Sequence, residues 1–110
     1  MRALAQLPES IASKSISNRE VVLPIAEALE AIDLFESKGL LILGWEGWVK
    51  TKDGRVGHGN APQGTVSLEE LSVSAAAQLC RETIPQEAAR WIDENSGTTD
   101  ELHFCITVQA

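Results

Sequence analysis

The chain has no tyrosine, only two phenylalanines and three tryptophans, two cysteines and no cluster of basic residues. Each shortage removes a class of protein. A membrane span needs ~18 or more consecutive apolar residues, and no window of this sequence approaches that length. Cys80 and Cys105 stand far apart, with no C-x-x-C and no neighbouring histidine pair, so neither a disulfide framework nor a metal site is indicated. They read as two buried small hydrophobes of a reducing compartment. Nine basic residues face sixteen acidic ones, a net charge of −7. Phosphate-backbone binding draws its affinity from Lys and Arg, so nucleic acid is not an expected partner.

What is present describes an ordinary folded unit. With 110 residues, 44% hydrophobic and 23% charged, residues 1–110 are expected to form one domain around one core, and the composition disfavours disorder. The stretch Met1 to Leu7 carries one Arg and a broken apolar run of about five residues before Pro8, short of the ~7–15 of a secretory core. A cytoplasmic protein is therefore expected.

Charge and glycine are unevenly spread. Residues 1–38 hold four basic and six acidic groups, residues 39–63 three basic and two acidic, and residues 64–110 two basic and eight acidic. Seven of the eight glycines fall between Gly39 and Gly64, so the middle is turn-rich and the flanks regular.

Leu7-Pro8-Glu9-Ser10 predicts a short helix with Pro at its start and an anion in its first turn. Arg19 to Leu23 is a brief β-branched strand, and Pro24 then opens a helix. Its apolar face is expected to be Ile25, Ala28, Leu29, Ile32 and Phe35, with Gly39 as the stop. Leu40 to Lys50 predicts a central strand, Asp53-Gly54 the hairpin turn, and a short return near Arg55 to His58. Residues 58–64 read as a loop and Thr65 to Leu68 as another brief strand. Ser67 with Glu70 forms a possible capping box, and Ser72 a second N-cap. A helix follows from about Val73 to Glu94, with Ala76, Leu79, Cys80, Ile84, Ala88 and Trp91 inward and a kink or split at Pro85. Finally Leu102, Phe104, Ile106 and Val108 alternate with His103, Cys105, Thr107 and Gln109, a strand with one core face and another covered partly or not at all. The sum is an α+β fold: a small antiparallel or mixed sheet with two main helices largely on one face.

Little in this chain points to catalysis. Gly54-Arg-Val-Gly57-His-Gly59 has the wrong spacing for a dinucleotide loop and no helix following it. His103 on the polar side of a strand reads as a solvated or satisfied imidazole. His58, with Asn60 nearby and Glu46 on the preceding strand, is the better acid–base candidate and defines an alternative reading as a small enzyme or ligand-binding domain. No cofactor is indicated. The most unusual string is Trp45-Glu46-Gly47-Trp48. Regular alternation puts Trp45 in the core and Trp48 among charges, whereas a bulge at Gly47 would place both indoles on one face. Trp48 either packs under the 58–64 loop or another helix, or stands exposed beside Glu46, as binding hot spots do. Likewise Glu69, Glu70, Asp93, Glu94, Asp100 and Glu101 are either a solvated surface or a negative patch that steers a basic partner.

Leu7-Pro8-Glu9-Ser10-Ile11, Glu20-Val21-Val22-Leu23, Ala28-Leu29-Glu30-Ala31-Ile32-Asp33-Leu34 and Ile42-Leu43-Gly44-Trp45 occur in that order over residues 7–50. This series resembles an α+β family of immunity proteins from bacterial polymorphic toxin systems. Where such proteins tend to continue the Leu-Gly with Gly-Asp-Val-Tyr, this chain has Trp45-Glu46-Gly47-Trp48. The resemblance implies a non-catalytic cytoplasmic binder that blocks a cognate toxin domain, often a nuclease with a basic cleft. It carries over no binding residue. The expected interface, drawn from the chemistry above, is Trp48 with Glu46 and the acidic groups Glu69, Glu70, Asp93, Glu94, Asp100 and Glu101.

Overall fold

The computed structural model describes residues 3–64 and 70–109. The expected strand Thr65 to Leu68 and the Ser67 half of the capping box lie outside them. A 3-10 turn at Ala3–Gln6 leads into α1 (Glu9–Ala12), β1 (Val21–Leu23), α2 (Ile25–Ser37), β2 (Ile42–Lys50), β3 (Val56–Gly57), α3 (Val73–Glu94) and β4 (Glu101–Val108). The strands form one antiparallel sheet in the order β1-β4-β2-β3. α2 and α3 pack on each other and on the sheet. This is the expected α+β class.

Two turn signals act where the sequence places them. Gly39 has φ +73° and closes α2, with Leu40 N–H donating to the Phe35 carbonyl at 2.9 Å and Gly39 N–H to that of Glu36 at 3.0 Å. That pair of bonds satisfies two of the orphan carbonyls of the last turn, and the left-handed conformation there favours glycine, which has no Cβ. At the hairpin, Thr51 N–H bonds the Arg55 carbonyl at 2.8 Å around Gly54. Ser72 caps α3, its hydroxyl accepting from Ala75 N–H at 3.0 Å.

The buried side of α2 is Ala28, Ala31, Ile32 and Phe35. Ile25, expected inside, is 36% exposed, because the helix starts directly after β1 and its first turn has not yet come over the sheet. α3 buries Ala76, Ala77, Cys80, Ile84, Ala88 and Trp91. Pro85 does not split it. An interior proline forfeits one helix bond at ~3 kcal/mol, and here the segments on both sides of it are held by buried residues, Cys80 and Ile84 before it and Ala88 and Trp91 after it. Arg81 ties the two helices, its guanidinium reaching Asp33 at 2.8 Å and Glu36 at 2.7 Å. That contact, with the Ser74 hydroxyl, holds the Glu36 carboxyl below the usual range.

β2 sends Ile42, Trp45, Gly47 and Val49 toward the helices. The register irregularity lies between Ile42 and Gly44, not at Gly47, and it lets Ile42 and Trp45 share one side although three positions separate them. Regular alternation beyond it places Glu46, Trp48 and Lys50 on the outer face. The segment 58–64 folds back along β2: Pro62 O accepts from Gly47 N–H at 2.8 Å, Ala61 packs with Val49 and Trp91, and Gly64 lies against the Trp45 indole. At the opposite edge, Ile16 N–H donates to the Val22 carbonyl and the Ser15 hydroxyl accepts from Val22 N–H, each at 3.0 Å. Both groups would otherwise be an open strand edge. The outer face of the sheet is closed over Val22, His103 and Cys105, all buried, so β4 is covered on both sides along its middle.

Candidate functional site

Trp48 is the centre of the outer face. It is half-buried, and its Nε1 donates to Glu46 Oε1 at 3.3 Å. The His58 ring meets it edge-on, with centroids 5.6 Å apart, while His58 Nδ1 lies 3.3 Å from the Gly47 carbonyl. Directly across the sheet, Trp48 pairs with His103 on β4. Both histidines of the chain therefore flank one indole. A groove of about 820 Å³ opens beside it, lined by Leu4, Ser13, Ile16 and Asn18 on one side and by Trp48 and Val56 on the other. Sequence reasoning missed this N-terminal wall and the His103 neighbour, because both arise from register and chain path and carry no local motif.

His103 is not a solvated strand residue. It is 3% exposed, with Nδ1 3.5 Å from the Glu101 carbonyl and Nε2 4.0 Å from the Glu101 carboxylate. Burial holds its pKa below the ordinary histidine value, Glu101 acts against that lowering, and Lys50 adds to it.

The remaining expected interface residues separate into groups. Asp93 and Glu94 lie in the last turn of α3, Asp100 immediately precedes β4 and Glu101 is its first residue. This end also holds the hairpin, since Glu101 pairs with Lys50. Glu70 precedes the other end of α3, whose 22 residues span about 33 Å at 1.5 Å per residue. Glu69 lies outside the described residues. The acidic zone of the sequence is thus no single patch: four carboxylates gather at one end and Glu70 stands apart.

The alternative constellation of His58, Glu46 and Asn60 is only partly assembled. Glu46 and His58 both reach Trp48, but Asn60 is turned to α3. Its Oδ1 accepts from Trp91 Nε1 at 3.0 Å and its Nδ2 donates to Asn95 Oδ1 at 2.6 Å, while Asn95 Nδ2 donates to the Trp91 carbonyl at 2.8 Å. Asn60 pins the 58–64 segment to the end of α3. Asn60→Ala strands the buried Trp91 N–H and is expected to lower stability by about 1–3 kcal/mol, read as an earlier denaturant midpoint with an unchanged slope.

Neither thiol is reactive at neutral pH, because burial pushes Cys80 up to about 11 and Cys105 up to about 12. Among the described residues, no group of three or more His, Cys, Asp or Glu is placed to hold a metal ion, and no helix is long and apolar enough to cross a membrane. Compared with protein-family models, curated proteins and solved structures, the chain matches none.

Proposed function

We propose that the protein is an immunity protein that binds a cognate bacterial toxin domain and occludes its active site. The observation that carries the reading is Trp48: a large aromatic on the outer face of the sheet, only partly open to solvent, hydrogen-bonded to Glu46 and bordering a groove. Binding energy concentrates on such side chains, which lose little rotamer freedom when a partner buries them. The acidic end adds a second support. Asp93 and Glu94 sit in the last turn of α3, which holds no basic residue, where the helix dipole is already negative and each carboxylate costs ~0.3–1 kcal/mol. A basic partner, such as a nuclease domain with a cationic cleft, relieves that repulsion and is steered toward it. The resemblance over residues 7–50 points to the same class.

The test is co-expression with the toxin domain encoded beside this chain. Growth should be restored by the wild-type protein. Trp48→Ala should weaken binding by ~2 kcal/mol or more, about thirtyfold in Kd, while keeping the native circular dichroism and melting profile. If no toxic domain is encoded nearby, or if the wild-type protein fails to restore growth, the proposal falls. An unfolded Trp48→Ala variant would instead make Trp48 a packing residue.

A further inference from the structure

We propose that the outer face is proton-sensitive: charging His103 lifts the Trp48 indole away from β4 and widens the groove beside it. The chain has two histidines: the His58 ring meets this side chain edge-on at 5.6 Å, and His103 occupies the position paired with it on the neighbouring strand. His103 is the buried one. Its two ring nitrogens lie 3.5 and 4.0 Å from the Glu101 oxygens, beyond the 2.7–3.2 Å of a normal N–H···O bond. A neutral imidazole tolerates this, but an imidazolium buried with two loose acceptors does not. The Glu101 side chain is 66% exposed, so the charged ring gains both its partner and water by moving outward.

Trp48 is the side chain opposite His103 on that face, and the groove of about 820 Å³ gives the indole space to turn into. The charged and titratable groups around His103 are Glu101 and Cys105 on its own strand, the latter a thiol that burial keeps neutral, Lys50 and Glu46 on the same face of β2, and His58 across the indole. β1 presents the apolar Val22 there. Glu46 holds Trp48 through Nε1, so the indole has a pivot and is not simply released.

The sign follows from linkage. The lowered pKa of His103 means that the closed arrangement prefers the neutral ring. It is fully favoured above the ordinary histidine value near 6.5, and that preference is lost as pH falls from there through the lowered value. The carboxyls of Glu36 and Asp53 are both held low, so these two stay charged over the range in which the histidine responds.

The experiment is tryptophan emission from about pH 7.5 to about pH 5 on the whole protein, with far-UV circular dichroism recorded alongside and the two imidazole Cε1–H signals followed by NMR. The expected result is a red shift of the emission with unchanged circular dichroism, tracking the His103 resonance. The shift should be absent in Trp48→Phe and in His103→Gln, and retained in His58→Gln. Emission that does not move, a shift that survives in Trp48→Phe or follows only His58, or a change coincident with loss of circular dichroism would overturn it. Should His103→Gln fail to fold, the wild-type NMR titration decides alone: His103 must titrate within the window of the emission change.

Discussion

Phe104→Ala is expected to remove about 3–5 kcal/mol, the range for deleting a fully buried aromatic, out of a total of ~5–15 for a domain of this kind. Phe104 is fully buried at the middle of β4, the strand between β1 and β2. On its left it opposes Leu23 and on its right Gly47. Its ring meets Trp45 edge-on, with centroids 5.3 Å apart, an arrangement worth ~0.5–1.5 kcal/mol beyond the buried area. Gly47 offers no side chain to collapse into the space, so the cavity persists. The Trp45 Nε1–Thr83 hydrogen bond at 3.0 Å holds the other wall in place. Urea unfolding should show a midpoint far below wild type, and Phe104→Leu, which leaves a smaller void, should recover a large part of the difference.

Gly47→Val is the second large effect, and it acts by overfilling. A Cβ on Gly47 would stand 2.5 Å from the Pro62 carbonyl oxygen, 3.0 Å from Ala61 Cβ and 3.1 Å from Pro62 Cδ. The nearest atom is backbone and also accepts the Gly47 N–H, so it cannot withdraw without losing that bond. The whole 58–64 segment must move, and with it the Asn60 contact to Trp91 and the seat of Gly64 on Trp45. About 3 kcal/mol, the upper end of the range for overpacking, is expected, together with loss of the Asn60–Trp91 hydrogen bond, visible as a shift of the Trp91 indole N–H resonance. Gly47 is needed for close approach and not for backbone freedom. Its φ is not positive, in contrast to Gly39 and Gly54. A Gly47→Val variant as stable as wild type would show that the 58–64 segment is not seated on β2.

The two variants bracket the same junction from opposite sides. Phe104 fills the centre of the sheet because Gly47 does not, and the 58–64 segment covers Gly47 because nothing projects from it. The outer face carries Trp48 one residue further on, so the binding surface inherits its rigidity from this packed junction. A loosened 58–64 segment would also free His58, which is held against the Gly47 carbonyl and the Trp48 ring.

Much of the fold was legible in local pattern. The helical spacing from Ile25, the left-handed Gly39 stop, the Asp53-Gly54 turn, the Ser72 cap and the alternation of Leu102, Phe104, Ile106 and Val108 all act through bonds within a few residues. Period-two alternation offered Trp45 for the core and Trp48 for the outer face, and this placement held because the irregularity of β2 lies between Ile42 and Gly44 and not at Gly47. Errors arose where the outcome depends on distant chain. Ile25 lost its core place to Ala31 because the position of α2 over the sheet, and not its periodicity, decides which turn is covered. Of the kink or split expected at Pro85, the split does not occur, because burial on both sides of it outweighs one missing bond.

The candidate site divides in the same way. The sequence alone determined that the chain is acidic and α+β, and offered two placements for Trp48, beside Glu46 opposite Trp45 or, through a bulge at Gly47, on the same face as Trp45; the regular pairing of β2 from Gly44 onward decided for the first. Only the tertiary structure decided that His103 is buried opposite that indole and that residues 12–18 wall a groove beside it. It also turned Asn60 away to Trp91 and placed Glu70 before the start of α3, with that helix, about 33 Å long, running to the acidic end. The physical reason is the range of the interactions. Caps, turns and alternation are settled by neighbours along the chain, whereas burial, register and the convergence of charges depend on which strands meet across the sheet.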